Sequence, residues 1–188
     1  MVSDLVAGRE CGECRLCCIV PGIDDAEMQK QPGTTCRHCA KGDCDIYDSR
    51  PGVCRKYFCG WRRLTFLDDD WRPDKSGVLM ESGNPDQFGP GSVVLVLVGN
   101  PLKTVRQHRF LDFIGRSIQE RNMALVLSLP GPPGKNASAA PLNTPEMKAA
   151  IARSRNDTRL ALEKVLQRLN AHTHEPHVMR HGGNDFSA

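Results

Sequence analysis

Nine cysteines fall between positions 11 and 59 of this 188-residue chain, and none follows. Four occupy one short run, Cys11-Gly-Glu-Cys14-Arg-Leu-Cys17-Cys18, and the others are Cys36, Cys39, Cys44, Cys54 and Cys59. The same stretch is poor in apolar side chains. Gly8, Gly12, Gly22, Gly33, Gly42, Gly52 and Gly60, with Pro21, Pro32 and Pro51, interrupt it at short intervals, so no long helix is expected there. A segment built this way buries too little hydrocarbon for an ordinary core, and cross-links must supply the missing cohesion. Disulfides need an oxidising compartment, but residues 1–10 contain acids and no apolar run, unlike a secretory leader. A cytoplasmic location is therefore expected, with thiols that are reduced unless a metal claims them.

The rest of the chain follows a different pattern. Short Val- and Leu-rich runs at 78–80, 92–98 and 123–129 predict strands, the second of them buried. Asn100-Pro101 supplies an N-cap and a first-turn proline for a helix over 102–121. Thr144-Pro145 repeats that start signal, and Met147, Ile151, Thr158, Leu162, Val165 and Leu169 mark one face of a helix ending near Asn170. The expected fold class is α+β. A loop-rich cysteine module over 1–72 precedes a small α/β segment over 73–171, ordered β-β-α-β-α, and a disordered tail spans 172–188. Residues 135–141 are expected to be a small-residue linker.

Charge adds little to this. Lys and Arg total 25 against 22 Asp and Glu, a net +3. Residues 1–72 carry 11 bases and 12 acids, so no basic block advertises a nucleic-acid partner. The longest apolar run, 93–98, is too short to cross a bilayer.

Thiolates are soft anionic donors suited to zinc or iron. Cys11-x2-Cys14 and Cys36-x2-Cys39 each bring two sulfurs toward one centre across a tight turn, and Cys44, Cys54 and Cys59 supply further donors. Cys17 and Cys18 are adjacent, and neighbouring side chains diverge. They serve two centres, or one binds while the other packs as a small hydrophobe. Nine thiols suffice for two four-cysteine sites, or for an iron–sulfur cluster and a zinc site. Nearby cations (Arg9, Arg15, Arg37, Arg50, Arg55 and Lys56) would offset thiolate charge or simply be solvated.

Cys11-x2-Cys14-x2-Cys17-Cys18, followed by Cys44-Asp-Ile-Tyr-x2-Arg50-Pro51-x2-Cys54-Arg55-x3-Cys59, resembles the CxxCxxCC zinc- or iron-chelating domain family, the YkgJ-type cysteine cluster proteins, over roughly residues 8–62. The resemblance implies metal chelation, with zinc and iron both open. It makes Cys11, Cys14, Cys17, Cys18, Cys36, Cys44, Cys54 and Cys59 the ligand candidates, and leaves Cys39 as an extra thiol kept in contention by its CxxC spacing. It also suggests that Tyr47 packs beneath the site and that Arg50-Pro51 fixes the turn leading to Cys54. Arg50 or Arg55 would orient the ligand loops, with Phe58 and Trp61 as a hydrophobic lid. A related cysteine cluster occurs in flagellin lysine methylases, thought to use an iron–sulfur centre and S-adenosylmethionine. This chain shows no methyl-donor loop.

Other signals carry less. His38 sits between two cysteines as a potential substitute ligand. His172, His174, His177 and His181 lie in the expected tail, and Asp68-Asp69-Asp70 is an acidic turn rather than a hard-metal site. Gly89-Pro90-Gly91 precedes a strand and lacks the helix that phosphate loops require. The sequence therefore points to a metal-binding protein that holds zinc, iron or an iron–sulfur cluster, with an unidentified protein partner for its α/β segment. An iron–sulfur redox or methyl-transfer enzyme component is the alternative. Nucleic-acid binding lacks an aromatic–basic stripe, and thiol–disulfide exchange lacks a strand–helix unit around either CxxC.

Overall fold

The computed structural model describes residues 5–39 and 44–179. Its fold is α+β. A four-stranded sheet is built from β3 (Val78–Ser82), β4 (Val93–Leu97), β5 (Leu125–Leu129) and β6 (Ser138–Pro141), in that order, following a small ribbon of β1 (Ile23–Asp24) and β2 (Gln29–Lys30). β3 and β4 are antiparallel and pair Met80 with Leu95, β4 and β5 are parallel and pair Leu95 with Leu127, and β6 returns antiparallel to β5. The parallel pair needs a crossover. It is supplied by α6 (Pro101–Val105) and α7 (His108–Gln119). α8 (Pro145–Arg153) and α9 (Arg155–Asn170) follow the sheet.

The three expected strands and both helix starts are present, and the Asn100 and Thr144 side chains accept from Lys103 N and Met147 N. Each expected long helix is divided in two. Val105 and Phe110 are both buried, yet five residues on one continuous helix point about 140° apart. The extended backbone at Gln107 (φ −70°, ψ 131°) resets the direction so that both face the core. Ser154 (φ −167°, ψ 161°) ends α8 and caps α9, its Oγ accepting from Asp157 N at 3.0 Å. The expected linker at 135–141 instead contains edge strand β6, whose Ala140 pairs with Leu127.

The preceding region consists of short pieces: α1 (Leu16–Ile19), a 3-10 turn at Arg37–Cys39, α2 (Gly52–Lys56), α3 (Gly60–Arg63) and α4 (Pro73–Ser76), with α5 (Pro85–Phe88) between β3 and β4. The main core joins the sheet to these pieces. Trp61, Leu67 and Trp71 share it with Leu79, Leu95, Leu127, Phe110 and Leu162, and the Trp71 and Phe113 rings are 4.8 Å apart. A second, much smaller cluster holds Met28, Cys36 and Cys39, with Cys18, Ile23, Val53 and Cys54 against it.

Residues 172–179, part of the expected tail, run beside 134–136. Asn136 N donates to Glu175 O and His177 N to Gly134 O, each at 2.9 Å. The His174 and His177 rings bond to Asn136. His181 lies outside the described residues. No helix among the described residues is long and apolar enough to cross a membrane.

Candidate metal centre

All nine cysteines are free thiols, and the chain gathers them in two places. The first forms where the N-terminal segment is held against α3. Val6 N donates to Arg62 O at 2.9 Å, and the Arg9 guanidinium donates to the carbonyls of Trp61, Leu64 and Leu67. The Cys11–Cys14 turn follows, closed by Cys14 N on Cys11 O at 3.0 Å. Gly12 makes the turn possible, with φ at +53° in the region that favours glycine. The clamp brings Cys11 and Cys14 within electrostatic reach of Cys59, the residue that opens α3. Arg62 Nη1 is 3.9 Å from Cys11 Sγ.

Backbone N–H groups point at two of these sulfurs, Leu16 and Asp74 at Cys14 and Arg62 and Trp61 at Cys59. Burial pushes both thiols above the usual cysteine range, and the N–H groups pull the other way by stabilising the thiolate. Sulfurs withdrawn in part from water yet faced by N–H donors suit a thiolate better than a neutral thiol.

The second place is the small apolar cluster. Cys36 N donates to Cys18 O at 2.8 Å, tying the 3-10 turn of Cys36 and Cys39 to α1. Cys54 arrives on α2, started by Glu27 Oε2 accepting from Gly52 N at 2.5 Å, and its Sγ is 3.8 Å from Met28 Sδ. Burial raises the Cys54 thiol and pushes Cys39 up to about 11. Cys44 acts electrostatically on Cys54. Lys30 is buried here, its ammonium donating to the carbonyls of Ile19, Gln31 and Thr34 at 3.0, 3.3 and 2.9 Å. Burial lowers its pKa, and the thiols of Cys36, Cys18 and Cys17 act in the opposite sense.

The two places meet at α1, where the Cys17 and Cys18 sulfurs are 3.9 Å apart. Their hydrogen bond raises Cys17 and lowers Cys18, with Arg15 and Lys30 helping to hold Cys18 as the thiolate. Behind them, Tyr57 donates to Glu81 Oε1 at 2.7 Å.

Several expected neighbours have other positions. Tyr47 is not beneath the site but 57% exposed, with the Arg50 guanidinium 3.7 Å from its ring centre. Trp61 is a core residue rather than a lid, and its indole N–H donates to Asp68 O. Phe58 is half-buried beside Arg62 and Arg63. Pro51 does begin the turn to Cys54, whose N–H donates to Pro51 O at 3.0 Å. Both ring nitrogens of His38 are engaged, by Asp45 Oδ1 at 3.0 Å and by Arg37 Nε at 3.1 Å. Asp68 caps the turn at Asp70 N and pairs with Arg109. Lys30, Met28, Glu81 and Arg62 are the site neighbours that spacing rules do not reveal.

Among the described residues, no group of three or more His, Cys, Asp or Glu side chains is arranged to hold a metal ion. The donor chemistry nevertheless fits a soft divalent cation or iron, since the sulfurs are half-buried or buried and flanked by N–H groups and cations. No protein-family model, curated protein or solved structure matches this chain.

Proposed function

We propose that this chain is a metal-binding protein of the CxxCxxCC type, chelating zinc or iron through its N-terminal thiols. The observation that carries this reading is the pair of sulfurs at half-buried Cys14 and buried Cys59, each faced by two backbone N–H groups. A neutral thiol gains little from such donors, whereas a metal-bound thiolate gains a stabilised charge and a fixed orientation. The small cluster around Met28 supports the same reading, because the three side chains buried there among the described residues cannot by themselves hold α1, α2 and the intervening turn together. When bound, the metal supplies that cohesion. The chain's own residues supply the thiolates, exclude water and place cations beside them.

Protein purified without air and assayed for zinc, iron and acid-labile sulfide, with an absorption spectrum, tests the proposal. Stoichiometric metal supports it, and a folded protein free of all three overturns it. Iron with sulfide and a brown colour selects an iron–sulfur centre and revives the redox or methyl-transfer alternative; colourless stoichiometric zinc removes that alternative.

A further inference from the structure

We propose that the surface formed by α2, α3 and the turn before them binds single-stranded nucleic acid, with Tyr47 and Phe58 as stacking rings and Arg50, Arg55, Lys56 and Arg63 as phosphate contacts. This goes beyond the metal-binding reading and holds whichever metal the thiols take.

The near-neutral charge of residues 1–72 hides an uneven distribution. From Ser49 to Leu67 there are five Lys or Arg and no Asp or Glu. The fold links these side chains instead of scattering them. The Arg50 guanidinium lies 3.7 Å from the Tyr47 ring centre and its Nε donates to Tyr47 O at 2.8 Å. Arg55 donates to Arg50 O, and Arg63 Nη2 to Lys56 O at 3.5 Å. Arg63 and Arg62 stand 5.9 and 5.6 Å from the Phe58 ring centre. Arg55, Lys56 and Tyr47 are exposed, and the others are half-buried. Acids near the run are engaged elsewhere: Glu27 accepts from Gly52 N, Asp45 holds His38, and Asp68 pairs with Arg109. Among the described residues, none of the five bases forms an ion pair with a carboxylate. Clustered like charges repel, and a polyanion relieves that repulsion while releasing its own condensed counterions. A guanidinium laid on a ring also presents a broad flat surface, already held in place, on which a base can stack. A duplex hides the faces of its bases and an acidic peptide has none, so rings set among unpaired cations favour a single strand.

Fluorescence anisotropy with a labelled thymidine oligonucleotide, its uridine RNA counterpart, a duplex of equal length and polyglutamate tests this. Binding of a homopolymer should be saturable and tighter than that of the duplex or polyglutamate, and the tighter homopolymer identifies DNA or RNA. The logarithm of the binding constant should fall with that of salt by about 0.7 per phosphate engaged between about 50 and 200 mM. Lys56→Gln/Arg63→Gln should weaken binding and flatten that slope by about 1.4. Tyr47→Ala should weaken binding about fivefold or more with the slope unchanged. Metal content and circular dichroism equal to wild type show that the variants fold. A measurement on unaltered protein covers variants that do not: lysine acetylation with peptide mapping should find Lys56 protected by the bound oligonucleotide, while exposed Lys103 on α6 and Lys148 on α8 stay reactive. Absence of saturable binding at about 50 mM salt, folded variants that bind like wild type, equal protection of all three lysines, or preference for duplex or polyglutamate overturns the proposal and leaves metal binding intact.

Discussion

Lys30 shows how one side chain can be both a structural tie and an electrostatic one. Its ammonium satisfies three carbonyls from two sides of the loop that carries the second set of thiols. A buried cation is costly unless hydrogen-bonded and faced by negative charge, and the thiols supply that charge once they are deprotonated. Lys30→Met leaves the carbonyls without a donor and removes the cation. We expect a stability loss of about 1–3 kcal/mol, with faster removal of metal by a chelator than from wild type; equal chelation rates would show that the charge is irrelevant. Glu81 poses the opposite problem. Burial raises its carboxyl pKa, although the Tyr57 hydroxyl works against the shift. The folded chain therefore holds a proton that the unfolded chain has already released, so this group's stabilising contribution falls as pH rises from the ordinary carboxylate range through the raised value. Glu81→Gln, which still accepts from Tyr57, should gain on wild type in urea midpoint between pH 5 and 7.5. A constant difference across that range would refute the assignment.

At the level of elements, α3 is positioned by what it lacks. A Cβ at Gly60 would lie 2.7 Å from Met80 Cβ on β3, so the helix can sit this close to the sheet only with glycine there. Gly60→Ala should cost about 1–3 kcal/mol, the usual penalty for forcing an extra methyl group into a packed contact. It should also loosen metal at Cys59 in a chelator assay while leaving the Cys54 thiol on α2 protected. Such contacts are invisible in a single sequence, since Gly60 reads there only as a helix breaker. What could be read were strong local signals. Asn100-Pro101 and Thr144-Pro145 begin helices because a short polar side chain accepts a first-turn N–H and proline needs no donor there. The division at Ser154 also had a signal, Ser154-x-x-Asp157, which sits inside an apolar periodicity that runs on through both helices. The break at Gln107 and strand β6 had none. Burial of both Val105 and Phe110 and pairing with β5 impose them from outside the segment. The cysteine spacing marked the turns at Cys11–Cys14 and Cys36–Cys39. It gave no indication that Tyr47 faces outward or that a lysine is buried among them.

Across the whole molecule, the thiol-bearing region is held by two unequal means. Residues around α3 and the following turn are anchored by Trp61, Leu67 and Trp71 in the core that also contains β3, β4 and β5. Residues around α1, β2 and α2 depend on a cluster in which, among the described residues, only Met28, Cys36 and Cys39 are buried. Burying a large apolar side chain contributes about 1.5–3 kcal/mol; the first group therefore has ample support without metal, and the second falls short of the conformational entropy of the loops it must order. Metal removal should accordingly produce a partly folded chain rather than the complete unfolding of a small zinc finger. Hydrogen exchange followed by mass spectrometry before and after chelation checks this. Peptides covering residues 16–56 should lose protection, those from β4 and β5 should keep theirs, and those around Trp61 and Trp71 should change least within the cysteine region. Uniform loss across the sheet would mean that the core is itself metal-dependent. Unchanged protection at α1 and α2 would mean that the thiols contribute nothing to the fold.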